Sequence, residues 1–371
     1  MVNRKRSFYL FMLLFLLLAT TGTAHSDPAL SQSNISQSRI VGEITTAISG
    51  KILWTYDAGS GISGSPAYLS RKVFFGDNTG ILHALETSGG QVLWTINTGN
   101  PIYGSPAIYE GILYIGNLGG RVMAINANTG KVVWDFYTGE GNQAGSILSA
   151  PAVQGQYLLF TATNGKLYCL DRETGKTFWE FQTGRELRSS PLLYENTVYL
   201  GDHTGKFHAL DQGTGKKIWG GGAAGPIDNA PSISDGVVYF GSWDRKLYAT
   251  RIQGVIPLWR TDLGGAITTS AAISGKKAFA GTIDGRLAAI ELGKGHILWE
   301  FESQGSFSAS PAAGGYQVFA GNTDGTLYCL HMESGRILWE IRTGRDILSD
   351  PLVGDNTLYF GSMNGLFYAV K

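Results

Sequence analysis

The 371 residues carry 29 basic and 29 acidic side chains, so the formal net charge is zero and the sequence-wide electrostatic footprint of a nucleic-acid or anionic-membrane binder is missing. Charged residues make up only 16% of the chain and hydrophobic residues 43%, while 52 glycines and 17 tyrosines suit short strands joined by tight turns, an all-β composition. Length alone divides nothing, because closed β folds run well beyond ~150 residues as one domain.

In chain order, residues 1–24 read as an export signal: Arg4, Lys5 and Arg6 precede the apolar run Phe8 to Ala19, and small residues follow at Gly22 and Ala24. The competing reading is an uncleaved anchor, for which the run is short against ~30 Å of hydrocarbon. No cysteine directly follows it, so no covalent lipid anchor is expected. Residues 25–48 are polar and aperiodic and read as a flexible leader.

From residue 49 the chain repeats. Trp54, Trp94, Trp134, Trp179, Trp219, Trp259, Trp299 and Trp339 are 40 residues apart except for one step of 45, a five-residue insertion near GEGNQ (139–143). Around each tryptophan recur a small-Ser-Pro-Ala stretch, a strand ending in glycine, and a third strand such as KLYCL (166–170). Four short strands per ~40 residues describe a propeller blade, whose sheet buries both faces only when neighbours stack on it. Small residues and proline suit the crowded innermost strand. Each tryptophan follows a glycine turn that gives the ring a flat backbone to stack on.

The last copy stops at Ala369, Val370 and Lys371, and Ser49 to Trp54 supplies its missing end. The expectation is an eight-bladed propeller over 49–371, closed by an N-terminal strand completing the C-terminal blade, with no sheet edge left exposed. The chain is expected to be a monomer.

Cys169 and Cys329 stand 160 residues apart in the same repeat position, hence across the ring and beyond the ~6 Å Cα separation of a disulfide. Most other copies have alanine there, so both read as small buried residues. Turns such as GDNTG (76–80) and GDHTG (201–205) read as hairpins rather than calcium loops. His83 and His208 read as packing residues within strands.

Function is sought where one copy breaks the pattern. Four residues before the hub proline every copy is apolar (Ile62, Ile102, Ile147, Leu187, Ile227, Ile267, Phe307, Ile347), with Ala271 replacing the proline once. One residue later the copies diverge, and only Arg188 and Asp228, in consecutive blades, are charged. Strand alternation puts these loops on one face with the turns carrying His203 and Trp243-Asp244-Arg245. Trp243 is the only tryptophan outside the repeat, and Trp and Arg are enriched in binding hot spots. The partner-binding candidates are therefore Leu187, Arg188, His203, Asp228, Trp243, Asp244 and Arg245. The competing reading makes Arg188 and Asp228 a structural ion pair, with Trp243 packed on a neighbouring loop.

The pattern Ala209, Asp211, Thr214, Gly215, Lys216, Trp219 resembles the tryptophan-docking motif of pyrroloquinoline-quinone-type propellers across the mature chain. Blade 5 departs from it, with RIQGVIPLW (251–259) lacking the Thr-Gly-Lys turn. Within that superfamily the chain looks most like the BamB family, the propeller subunit of the outer-membrane β-barrel assembly machinery, but without that family's lipobox cysteine. The resemblance implies a periplasmic or extracellular scaffold, peripheral to the outer membrane, that binds envelope proteins such as the barrel-assembly protein BamA. It also implies contact through a Leu-Arg pair and an aspartate in the next blade, which Leu187, Arg188 and Asp228 resemble; only the Asp228 to Pro231 spacing fits the family pattern.

Quinone-dependent dehydrogenases of the superfamily carry adjacent cysteines, calcium ligands, an aspartate base and long loop insertions, whereas here no two cysteines are adjacent and the only insertion is the segment near GEGNQ (139–143). No catalytic residue and no cofactor are expected. A quinoprotein holding pyrroloquinoline quinone and calcium is the alternative, followed by a propeller that takes carbohydrate or peptide in its axial funnel.

Overall fold

A computed structural model describes residues 40–41, 44–141, 144–254 and 257–371. The export signal 1–24, and the leader as far as 39, lie outside the described residues. The described residues form eight four-stranded antiparallel blades with no α-helix among them, an eight-bladed β-propeller. Blade 1 runs outward through Ala67–Leu69, Lys72–Gly76, Ile81–Glu86 and Val92–Asn97, and blades 2 to 7 repeat it. Blade 8 takes Leu352–Gly354, Thr357–Gly361 and Leu366–Val370 from the C-terminus and its outermost strand, Ile52–Asp57, from the N-terminus. That closing pair is antiparallel, with Trp54 opposite Ala369 and Tyr56 opposite Phe367.

Two side-chain devices join each blade to the next. At the rim, every repeat tryptophan donates its indole N–H across the junction, as Trp54 does to the Thr87 carbonyl at 2.9 Å and Trp259 to Leu292 at 2.8 Å. The turn glycine packs against the ring: Gly90 has φ +74°, and a Cβ there would stand 2.7 Å from Trp54. Blade 5 keeps the bond, Trp219 to Ile252 at 2.7 Å, although Val255 and Ile256 of its unusual turn lie outside the described residues. Near the hub, the apolar residue four before the proline fills the place of a missing side chain on the preceding blade. A Cβ on Gly76 would meet Ile102 at 2.2 Å and one on Gly241 would meet Ile267 at 2.2 Å.

Two sequence expectations are corrected. Closing the ring does not remove every sheet edge, because blades stack by their faces and the outermost strand of each pairs on one side only. These strands expose residues such as Leu53, Val92, Val133 and Ile218. The segment before residue 49 also ends in ordered structure: Ile40–Val41 is a strand and Ile48 is 1% exposed. Its aliphatic residues find an apolar groove, a tertiary contact that local polarity does not reveal.

Cys169 and Cys329 are buried and free, each beneath its blade's tryptophan strand, and burial pushes both thiols up to about 12. The acidic turns are satisfied from within. Asp77 Oδ1 accepts the Thr79 and Ile81 amides and Asp202 Oδ1 those of Thr204 and Lys206, so each carboxylate closes its own hairpin.

Candidate functional site

Blade 4 comprises Leu192–Tyr194, Thr197–Gly201, Lys206–Asp211 and Lys217–Gly222; blade 5 comprises Ser232–Ser234, Val237–Gly241, Lys246–Arg251 and Pro257–Asp262. The loop entering each blade is tied to the turn between its second and third strands, His203 N–H bonding the Glu186 carbonyl and Trp243 N–H that of Pro226. The variable residues thus share one face.

Asp228 is the centre of the cluster. Its side chain is 10% exposed. It accepts from His203 Nδ1 of the blade-4 turn at 3.0 Å and from the Trp243 indole of its own blade at 3.0 Å. Asp228 thereby links the two blades. The indole, fixed at its nitrogen, still leaves Trp243 43% exposed, an aromatic surface held in one orientation. Ala and Gly residues at 223–225 let the turn approach, and a Cβ on Gly225 would meet the Trp243 Cβ at 3.3 Å.

Arg188 does not pair with Asp228. Its guanidinium chelates Glu186 of the same loop at 2.8 and 3.1 Å and remains exposed. The competing ion-pair reading therefore fails, because Arg188 takes Glu186 as its partner while Asp228 takes His203 and Trp243. Trp243 leans on its neighbouring loop through one backbone and one side-chain bond yet keeps its ring open, so that alternative holds only in part.

Three candidates have local structural surroundings of their own. Leu187 is 1% exposed and lies in the core shared by blades 3 and 4, with no surface to offer a partner. Blade 3 places Thr161 at the strand end where seven blades have glycine, and Thr161 Oγ1 donates to the Ser189 carbonyl at 2.8 Å. Asp244 accepts from the Tyr248 hydroxyl at 2.5 Å and the Ala224 amide at 2.9 Å. Burial raises its pKa, but these bonds outweigh burial and hold the carboxyl below the usual range. Arg245 occupies the position that is glycine in the other seven copies, at φ +73°, and reaches Asp262 at 3.2 Å. The sequence pointed to Arg245 by its charge, whereas the backbone conformation is its stronger distinction. Glu186, which sets the Arg188 guanidinium, was missed; its separation of two residues within an exposed loop was the available signal.

Among the described residues no group of His, Cys, Asp and Glu could hold a metal ion. No described helix is long and apolar enough to cross a membrane.

The sequence profile of the family described as outer membrane protein assembly factor BamB matches residues 39–190, 163–302 and 284–371. No curated protein sequence matches the chain. Among solved structures, BamB from Moraxella catarrhalis is 21% identical, covers 87% of this chain and 99% of its own, and superposes with a TM-score of 0.75. The computationally designed Ika8 protein is 20% identical over 86% of this chain and 99% of its own, with a TM-score of 0.75. Quinohemoprotein alcohol dehydrogenase from Comamonas testosteroni is 15% identical over 90% and 79%, with a TM-score of 0.76. At these identities the structural likeness is one of fold, and a shared propeller leaves the chemistry open.

Proposed function

Because this chain belongs to the family of outer membrane protein assembly factor BamB, we propose that it is a non-catalytic envelope scaffold holding protein partners on the face of blades 4 and 5. One observation carries the reading. Asp228 receives N–H bonds from both His203 and Trp243, so a half-exposed indole stands pre-oriented at a junction of two blades. An aromatic anchor that loses little rotamer freedom on binding is what a hot spot needs. Arg188, with its counter-ion Glu186, supplies a polar rim beside it. The proposed setting is the periplasmic side of the outer membrane and the proposed partner a barrel-assembly protein such as BamA; the role needs no cofactor and no catalytic step.

The experiment places a photo-crosslinking amino acid at Trp243 in living cells, with a control at Glu195, which lies in a hairpin on the opposite face. We expect an adduct containing a barrel-assembly protein at 243 only, lost when Asp228→Lys and Arg188→Glu are combined. Equal adducts at both positions, or one that survives the double variant, would sink the proposed site.

A further inference from the structure

The rim strand Ile52–Asp57 is not all that holds blade 8 closed. Ile40–Val41 pairs in parallel with the free edge of its innermost strand, Ile40 opposite Val353 and Val41 opposite Gly354. Adjacent strand residues face opposite ways. Ile40 therefore packs into the cluster shared by blades 7 and 8, and Val41 into the cluster shared by blades 8 and 1. Ile44 returns to the first cluster, and Ile48 ends the run buried within it.

The groove that receives this segment is made of departures from the repeat. At the end of the innermost strand, six blades carry Leu69, Tyr109, Gln154, Tyr194, Ser234 and Ser274, while blades 7 and 8 carry Gly314 and Gly354. A Cβ on Gly314 would stand 2.1 Å from Ile40 Cδ1, so a side chain there would force the Ile40 side chain out of its present position. Gln317, 2% exposed, clasps the backbone of one residue at both of its polar groups: Oε1 accepts the Ile48 N–H at 2.9 Å and Nε2 donates to the Ile48 carbonyl at 2.8 Å. Asn356 repeats the device one blade on, accepting the Thr45 N–H at 2.8 Å and donating to Thr45 Oγ1 at 2.8 Å. The Ile48 carbonyl also receives the Trp339 indole at 2.7 Å, the acceptor that the following blade's own turn supplies elsewhere.

We propose that this groove is a dedicated peptide-binding site, and that its occupant is the chain's own segment, residues 40, 41 and 44–48. The segment is a strap that locks the one blade assembled from two chain ends to both of its neighbours. The ligand class is an extended peptide with aliphatic side chains at every fourth position, Ile40, Ile44 and Ile48, read at the backbone by two carboxamides.

Hydrogen–deuterium exchange on the full chain tests the proposal. In the unaltered protein the amides of Thr45 and Ile48 should be protected. In the combined Gln317→Ala, Asn356→Ala variant they should exchange at least about ten-fold faster, with blades 3 to 5 unchanged within about two-fold. Gly314→Val offers an independent route, displacing Ile40 without touching either carboxamide. Strap amides that exchange freely in the unaltered protein, or stay protected in both variants, overturn the proposal. A synthetic peptide of residues 38–50 should give a saturable thermal shift with the Ile40→Asp, Ile44→Asp variant and none with the unaltered chain. Binding to neither protein, or to both, likewise overturns it.

Discussion

Two buried histidines show how one atom changes a local balance. His83 Nε2 meets Asp77 at 3.1 Å, and its Nδ1 meets the Tyr56 hydroxyl from blade 8 at 3.2 Å. His208 repeats the bond to Asp202 at 3.0 Å, but Phe181 replaces the tyrosine and Nδ1 is buried without a partner among the described residues. A buried nitrogen left unpaired costs about 1 kcal/mol or more. Phe181→Tyr should therefore raise the unfolding free energy by about 1 kcal/mol, and Tyr56→Phe should lower it by a similar amount, read from urea midpoints at constant slope. Equal effects of one sign would refute the comparison. Burial lowers the His83 pKa below 6.5 despite the Asp77 bond, so the folded state favours the neutral ring. That contribution is complete above pH 6.5 and falls as the pH drops below it, so the His83 ring resonance should titrate at a lower pH than that of a histidine in the unfolded chain. For Asp202 burial acts upward, but bonds from His208, Thr204 and Lys206 prevail and hold the carboxyl at about 2, against 3.8 ordinarily. Its share of stability, of order 2 kcal/mol, is present above pH ~4 and lost as the pH falls towards 2. Asp202→Asn should flatten that limb of an acid-unfolding curve. The sequence showed both histidines in repeat register and allowed a packing role; the partner of Nδ1 belongs to the preceding blade and lies outside any local window.

At the scale of the element, the repeat was readable because each position answers one packing demand. The tryptophan spacing counted the blades, and the alternation of hub isoleucine with strand-end glycine is the same interlock seen from its two sides. Legibility ended where a copy departed for reasons of its own. Leu187 looked like a recognition residue by analogy, yet it is the apolar hub residue of its copy and lies buried in the core that blades 3 and 4 share. Arg245 is the converse case, a left-handed turn position filled by a side chain where every other copy has glycine. Non-glycine residues there lose roughly 1 kcal/mol, partly recovered through a less flexible unfolded chain. Arg245→Gly should therefore stabilise blade 5 by about 0.5 kcal/mol, since its exposed pair with Asp262 contributes little. A fall in melting temperature would show that the arginine is needed for folding. If stability rises while the crosslink at Trp243 weakens, the strained turn is retained for the indole it presents.

The whole molecule is a ring whose covalent break falls inside blade 8. Lys51 and Lys371 exchange backbone bonds at 2.9 and 2.8 Å, and the Ser49 hydroxyl reaches the Lys371 carbonyl at 2.5 Å, so the two ends form a hairpin cut at its turn. Gly50 stacks on Trp339 as Gly175 does on Trp134, which puts Ser49 in the place of Thr174 and leaves two residues missing between Lys371 and Ser49. The split repeat announced this closure in the sequence; the strap did not, because three isoleucines at every fourth position match no strand period and the carboxamides that dock the segment, Gln317 and Asn356, lie 269 and 311 residues from Ile48 and Thr45. Joining Lys371 to Ser49 through two added residues, with new ends between the exposed Glu140 and Gly141, should yield a permutant that folds as the same ring, since insertions and new termini are tolerated at exposed loop tips. The permutant omits the strap while making the rim closure covalent, and thereby separates the two latches. It should keep the near-UV dichroism of the packed tryptophans and melt cooperatively a few degrees below the unaltered chain, about 1–2 kcal/mol at this size. A permutant that melts above the parent would assign closure to the rim alone, and one that loses its near-UV signal would make the strap a condition of folding.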